Sequence, residues 1–451
     1  MEEIVVLIEK ISSNGLGIAR YNDMTVFIEG AVPEEKCRIQ IIKKAKSYYV
    51  GKLIEVIEKS RNRTVPFCPM YKVCGACNLQ HINYEYQLKV KKQITEDSMR
   101  GINTVIYDTV PSPLIKEYRH KIQYPVRQTK VSKRILAGYF KPKTHEVVNI
   151  KYCPIQPQIC DVIVAFIKEN AQKYKISGYD ENTHTGLLRH IVMRVSAKTQ
   201  KVLVTFVVNS RITPCELKDF AASLYEYFQS CISGVTVNYN TAKTNLIMTD
   251  KTELLTGKEY ITENLCGIDF KIGTNTFFQV NPKSAENIFM FVKDYVRNNF
   301  VQPELLDAYA GISAFGFVLS NICKNVTSIE ECGASVELSK EVKELNKVKN
   351  IKLIKDDFTK YCNKFNPKNL KKFDVTILDP PRKGCTKDSL DGCVRLTKSK
   401  IIYVSCNPST LARDLKYLIE KGAKVESVHP FDLFCHTSHV ENVAIINVSN
   451  C

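Results

Sequence analysis

The chain reads as a multidomain protein, with a small closed β-barrel over residues 1–58, a central α+β region over 59–265, and a doubly wound α/β sheet over 266–451. Three observations carry this reading. The N-terminal stretch holds only short β-rich runs broken by turn residues, a barrel pattern. From Ile268 onward strand-like runs alternate with helical ones such as Ser284 to Asn299 and Gly333 to Asn346, which indicates a layered sheet. A length of 451 residues also exceeds what one core usually fills.

In the barrel, Ile4 to Ile8, Thr25 to Ile28, Arg38 to Ile42 and Val50 to Ile57 are strand-like, and Asn14-Gly15-Leu16-Gly17 is a turn. About five short strands in this length fit a barrel of the OB type. Between Lys36 and Arg63 stand nine Lys or Arg and two Glu, with Tyr48 and Tyr49 inside the basic stretch. Cations that grip phosphates beside aromatic faces that stack on bases suit a nucleic acid. A solvated barrel face is the plainer alternative.

The central region opens with Cys68, Cys74 and Cys77, and Cys153 follows far downstream before a proline. Three close cysteines and one distant one make a four-thiolate site, for which zinc and an iron-sulfur cluster are both admissible. Tyr84 to Arg100 is helical in pattern. Between Tyr118 and Lys258, strand-like runs including Val202 to Val208 and Ile247 to Met248 interleave with basic and aromatic positions such as Tyr118-Arg119-His120-Lys121.

The C-terminal region carries the chemistry at its strand ends. Leu305 to Gly311 and then Ile312 to Leu319 read as strand, glycine turn and helix, and Val326 to Glu330 is a strand ending in an acid. That spacing suits a carboxylate on ribose hydroxyls, and without a G-x-G-x-x-G motif a nucleoside cofactor lacking phosphates fits, S-adenosylmethionine being the common one. Phe373 to Leu378 leads into Asp379-Pro380-Pro381-Arg382, where the prolines end any ladder. Ile401 to Val404 leads into Ser405-Cys406-Asn407-Pro408, a thiol at the mouth of a helix, where a lowered pKa would make it a nucleophile.

Composition narrows the partners. Sixty-four Lys and Arg against 47 Asp and Glu give a net charge of +17, which favours a polyanion. No signal-like or membrane-length apolar run is present, so a cytoplasmic protein is expected, and its 17 cysteines point to thiols and metal rather than disulfides.

Taken together, Cys68, Cys74, Cys77, Cys153, Phe277-Phe278-Gln279-Val280-Asn281, Asp307 to Gly311, Asp379 to Arg382, Ser405 to Pro408 and His439-Val440-Glu441-Asn442 resemble the RNA (uracil-5-)-methyltransferases, in particular the subgroup acting on 23S ribosomal RNA. The resemblance implies an N-terminal RNA-binding TRAM barrel, a central domain with a 4Fe-4S cluster on Cys68, Cys74, Cys77 and Cys153, and a Rossmann-like methyltransferase domain using S-adenosylmethionine. It implies Cys406 as the nucleophile that adds to uracil carbon 6 and Glu441 as the base that later removes the carbon 5 proton. Gln279, Tyr309, Glu330 and Asp379 would bind the cofactor, and Asp357 would meet its adenine edge. The expected partner is RNA, 23S rRNA above transfer RNA, with neither DNA nor membrane, and the chain is expected to be a monomer. The first cofactor motif departs from the family at Ala310 and Ser313.

Rival readings are an amino-group N-methyltransferase, a cytosine-5 enzyme, and a catalytically inactive iron-sulfur RNA-binding protein. Arg382 rather than an aromatic follows the prolines, against the first, and no Pro-Cys pair follows Asp379 within the motif, against the second.

Overall fold

The computed structural model describes residues 2–364 and 372–449. The N-terminal unit is a six-stranded sheet, with β1 (Glu3–Leu7), β2 (Lys10–Ile11), β3 (Gly17–Tyr21), β4 (Met24–Ile28), β5 (Lys36–Lys44) and β6 (Tyr48–Glu58) in the order β1-β5-β6-β4-β3-β2. Strict alternation along β1 puts Ile4 and Val6 inside and Val5 and Leu7 outside, the period of a strand with one dry face. The Glu9 N–H donates to Ile18 O at 2.8 Å and brings the end of β1 back toward β3.

Next in the chain come α1 (Tyr84–Ser98) and β7 (Val105–Ile106). Asn83 caps α1 by accepting the Tyr86 N–H at 2.9 Å, and Met99 ends it one residue short of the expected Arg100.

The central sheet runs β13-β12-β11-β10-β8-β9, from β8 (Lys121–Gln128), β9 (Ile135–Ala137), β10 (Leu188–Val195), β11 (Val202–Val208), β12 (Ile232–Tyr239) and β13 (Thr252–Gly257). Helices α2 (Gln158–Asn170) and α3 (Cys215–Tyr227) cover one face. Every residue of β11 is buried, because its other face meets the hairpin of β14 (Tyr260–Leu265) and β15 (Ile268–Gly273). Ile247 and Met248 form no strand; the Asn240 amide donates to Ile247 O, replacing a ladder bond with a side-chain one. The expected division at residues 265 and 266 falls in the turn of the β14–β15 hairpin.

The C-terminal unit follows the alternating pattern: α4 (Pro282–Asn299), β16 (Glu304–Ala308), α5 (Ala314–Leu319), β17 (Asn325–Glu330), α6 (Gly333–Leu345), β18 (Ile351–Lys355), α7 (Phe358–Asn363), β19 (Phe373–Leu378), α8 (Lys387–Leu396), β20 (Thr397–Ser405), α9 (Pro408–Glu420), β21 (Lys424–Phe431) and β22 (Glu441–Asn447). Its eight-stranded sheet runs β18-β17-β16-β19-β20-β22-β21-β7. The first five strands in that order are parallel, β22 is antiparallel to both its neighbours, and β7 closes the edge parallel to β21. Thus α1 and β7, though early in sequence, build onto this sheet.

Candidate active site and thiol cavity

The parallel strands deliver three side chains to one sheet edge: Glu330 at the end of β17, Asp379 just past β19, and Cys406 just past β20. The fourth arrives from the opposite direction. Because β22 is antiparallel to β20, its first residues meet the last of β20, and Ser405 pairs with Asn442, which sets Glu441 beside Cys406. Glu441 is only 6% exposed, an enclosed acid rather than the surface one that the sequence alone leaves it.

Cys406 is half-buried. Burial first, then the Glu441 carboxyl, push its thiol up to about 11, and the Arg382 guanidinium beside it opposes the rise. The expected lowering by the helix mouth is therefore outweighed in the ligand-free protein, because desolvation and two carboxyls oppose it. Burial pushes Asp379 up to about 7 and holds Glu441 well above the usual carboxylate range, with Asp379 adding to the latter and Arg382 opposing it. Cys406, Glu441, Asp379 and Arg382 thus form one electrostatic unit. The Arg382 carbonyl also accepts from Thr410 Oγ1 at 3.2 Å and Asn407 Nδ2 at 3.4 Å, which ties the Asp-Pro-Pro-Arg loop to the start of α9.

Around the β16 turn, Glu330 accepts the Gly311 N–H and the Cys332 N–H, both at 2.8 Å, one on each carboxylate oxygen. Gly311 has φ +55, and a Cβ there would meet nothing within 4 Å, so space lies open over the turn. Tyr309 (φ 58) and Ser313 (φ 57) share the left-handed region, where side chains usually cost energy, so the turn forms despite the altered motif. A carboxylate held by backbone donors beside an open, glycine-lined turn fits the ribose of a nucleoside cofactor. Asp307, buried beneath, accepts the Gly316 N–H at 3.0 Å, and burial pushes it up to about 8. Tyr309 donates to Ser389 Oγ at 2.9 Å and meets Phe358 edge-on at 5.3 Å.

Of the other two expected cofactor residues, Asp357 adjoins this group, since the Asp356 N–H donates to Glu330 O at 3.0 Å and Phe358 packs on Tyr309. Asp357 caps α7, accepting the Lys360 N–H at 2.9 Å. Gln279 is half-buried on the loop before α4, and among the described residues no hydrogen bond ties it to the strand ends. On the same loop Phe277 is 67% exposed while Phe278 is buried against Phe270, so Phe277 is not a core residue.

Away from the sheet edge, Cys68, Cys74, Cys77 and Cys153 line one cavity of about 340 Å³, open space at its mouth included, with Met70, Tyr71 and Ile155. Burial pushes Cys77 and Cys153 up to about 12 and raises Cys68 and Cys74. Four thiols around one largely apolar cavity fit a soft metal or cluster in donor chemistry. Their side chains are gathered around that space rather than closed on a point: among the described residues no group of three or more His, Cys, Asp or Glu is arranged to hold a metal ion.

Contacts that carry no functional motif in the sequence fix the segment leading to Glu441. Lys91 on α1 and Asp432 after β21 are fully buried and meet at 2.5 Å. Lys91 also donates to Phe434 O at 2.9 Å and His439 O at 2.7 Å, and Tyr84 donates to Asp432 at 2.7 Å. The signal in sequence is a lysine among Val90 and Ile94 on the buried stripe of α1.

Among the described residues no helix is long and apolar enough to cross a membrane. Residues 83–448 match the family described as tRNA (uracil-5-)-methyltransferase, and residues 1–54 match the TRAM domain. An RNA methyltransferase of Clostridium tetani, described as uncharacterized, is 34% identical over 97% of this chain and 94% of its own. One from Clostridium acetobutylicum, described in the same way, is 34% identical over 98% and 96%. Among solved structures, the tRNA (uracil-54, C5)-methyltransferase of Pyrococcus abyssi in complex with S-adenosyl-L-homocysteine covers 98% of this chain and 99% of its own, at 26% identity and a TM-score of 0.77.

Proposed function

The chain belongs to the tRNA (uracil-5-)-methyltransferase family and is an S-adenosylmethionine-dependent RNA methyltransferase; on that premise we propose that it methylates carbon 5 of a uridine through a covalent adduct on Cys406. The observation that carries the reading is the antiparallel register of β20 and β22, which sets Glu441 next to the thiol. Arg382 favours the thiolate, and its addition to carbon 6 of uracil makes carbon 5 electron-rich. S-adenosylmethionine, when bound, supplies an electrophilic methyl group. Glu441 then takes the carbon 5 proton, the bond between sulfur and carbon 6 breaks, and the thiolate leaves. The burial that raises Glu441 above the usual carboxylate range makes its ionised form a stronger base. Glu330 would hold the ribose and Asp379 would sit between cofactor and base; Tyr309 and Gln279 would line the site, and Asp357 would reach the adenine edge from its cap.

RNA containing 5-fluorouridine at the target tests this reading, because the blocked proton removal should trap the protein on RNA in a denaturing gel. Cys406→Ala should abolish the trapped species. Its persistence would move the nucleophile elsewhere.

For the RNA we propose 23S rRNA. Transfer RNA is the second reading, favoured by the Pyrococcus abyssi enzyme: its match extends over nearly all of this chain, so the barrel does not separate the two substrate classes. Mapping 5-methyluridine in both RNAs from cells lacking this protein decides between them. For the thiol cavity we propose a 4Fe-4S cluster on Cys68, Cys74, Cys77 and Cys153, supported by four thiols around one space. Anaerobically purified protein should hold iron and acid-labile sulfide, and stoichiometric zinc without sulfide would overturn the assignment.

A further inference from the structure

The segment that carries Glu441 is gripped from outside its own sheet, and the grip begins one residue after a cavity cysteine. Cys77 lines the thiol cavity, and Asn78 follows it. The Asn78 and Leu79 N–H groups both donate to His436 O, at 3.0 and 2.9 Å. Asn78 Oδ1 accepts the Ser438 N–H at 3.0 Å, and its amide nitrogen donates to Asn14 O of the barrel at 3.2 Å. Ser438 Oγ in turn donates to Ser13 O at 2.8 Å. Gly15, at φ +77, leaves room for this contact, since a Cβ there would stand 2.4 Å from Asn78 Nδ2. Apolar packing repeats the same convergence. Val440, the residue before Glu441, shares a small buried core with Leu79 and Ile82, with Ile11 and Val32 of the barrel, and with Val90 and Ile94 of α1.

We propose that Asn78 is a positioning residue, the latch through which the four-cysteine cavity and the barrel together hold Glu441 in register for proton removal. The inference rests on Glu441 being the base. The hydrogen bonds between Asn78 or Leu79 and the 436–438 segment, with Leu79 packed beside Val440, leave that segment little freedom while the latch is closed. Without the Asn78 side chain the Ser438 N–H loses its partner, and the chain between His436 and Val440 gains room to shift. A displacement of about 1 Å at a reacting group can cost about a hundredfold in rate. The effect should fall on the late step that Glu441 performs, leaving cofactor binding in its separate turn near Gly311 alone.

The test compares Asn78→Ala with Asn78→Asp, which keeps an oxygen to accept the Ser438 N–H. In Asn78→Ala, kcat should fall about tenfold or more while the KM values for RNA and S-adenosylmethionine hold, and covalent complex should accumulate on ordinary RNA. In RNA-free protein, hydrogen exchange of the 436–440 amides should speed up. Asn78→Asp, which keeps the acceptor for the Ser438 N–H but loses the donor to Asn14 O, should recover part of both readouts. Cys77→Ser should also speed that exchange if the cavity is the other end of the latch. Unchanged kcat and exchange in Asn78→Ala would overturn the proposal, as would a loss confined to RNA affinity with no adduct build-up; unchanged exchange in Cys77→Ser would overturn the link to the cavity. Should Asn78→Ala not fold, Asn78→Ser, too short to reach Ser438, makes the same comparison. A wild-type protein that forms no fluorouridine-trapped adduct would sink the catalytic reading instead, and the exchange measurement would still judge the latch.

Discussion

Cys406 and Glu441 face each other across one pair of strands, but they are held by different distances in sequence. Cys406 follows directly from its strand, Asn407 caps the next helix, and Arg382 reaches it from the neighbouring strand end. The segment leading to Glu441 is bonded by Lys91, 341 positions before its partner Asp432, and by Asn78, 360 positions before Ser438. The proposed nucleophile is thus a local product of the α/β sheet, whereas the proposed base is set beside it by contacts from the barrel, the thiol segment and α1. Its loss of alignment is a tertiary event.

Removing each partner in turn separates chemistry from stability. Cys406→Ala should cost turnover by about 10³-fold or more, since losing a nucleophile removes the route itself, while thermal unfolding stays within about 1 kcal/mol of wild type. Lys91→Met should do the reverse first. It leaves the buried Asp432 carboxyl without its cation and should cost about 3–5 kcal/mol in denaturant unfolding. Equal destabilisation by both changes would erase the distinction.

A smaller effect probes the electrostatics of the nucleophile. Attack requires the thiolate, and Cys406 sits near 11, so the rate of fluorouridine trapping should climb with pH through the neutral and mildly alkaline range. Arg382 opposes the rise in the thiol. Arg382→Met should therefore push the profile to higher pH and slow trapping at pH 7, and a profile unmoved by that change would remove Arg382 from the site's charge balance. The smallest effect concerns Asp357. Asp357→Ala should cost about 1 kcal/mol through the lost cap on α7. An accompanying fall in S-adenosylmethionine affinity would mean that the side chain also meets the adenine edge.

Legibility followed the same division. Val202 to Val208 was readable to the residue, and the strand from Phe373 nearly so, because strands buried on both faces are written as mostly apolar runs, interrupted here by Thr205 and by Asp374 and Thr376. Glu330, Asp379 and Cys406 were readable because parallel strands of one sheet end on the same side, so an acid or thiol after each run falls at one edge. Val105 and Ile106 gave no such signal, since two residues at a sheet edge carry no period. Ile247 and Met248 misled for the converse reason: apolar residues can line a loop whose carbonyls are held by an asparagine. The protonation of Cys406 was also out of reach, because helix position argues for a lowered pKa and only the arrangement of Glu441 and Asp379 around the buried thiol shows which effect wins.

By itself the sequence determined most of the segments that become strands and helices, which residues stand at the parallel strand ends, and that four cysteines were spaced as one thiolate site, because each follows from periodicity, turn chemistry and residue type over short spans. Tertiary structure decided that α1 and β7 join the C-terminal sheet, that Glu441 is enclosed beside Cys406, and that Asn78 and Lys91 bond the segment just before it. Those are contacts between residues hundreds of positions apart. Their free energy exists only after the units dock, and no local pattern in the chain encodes it.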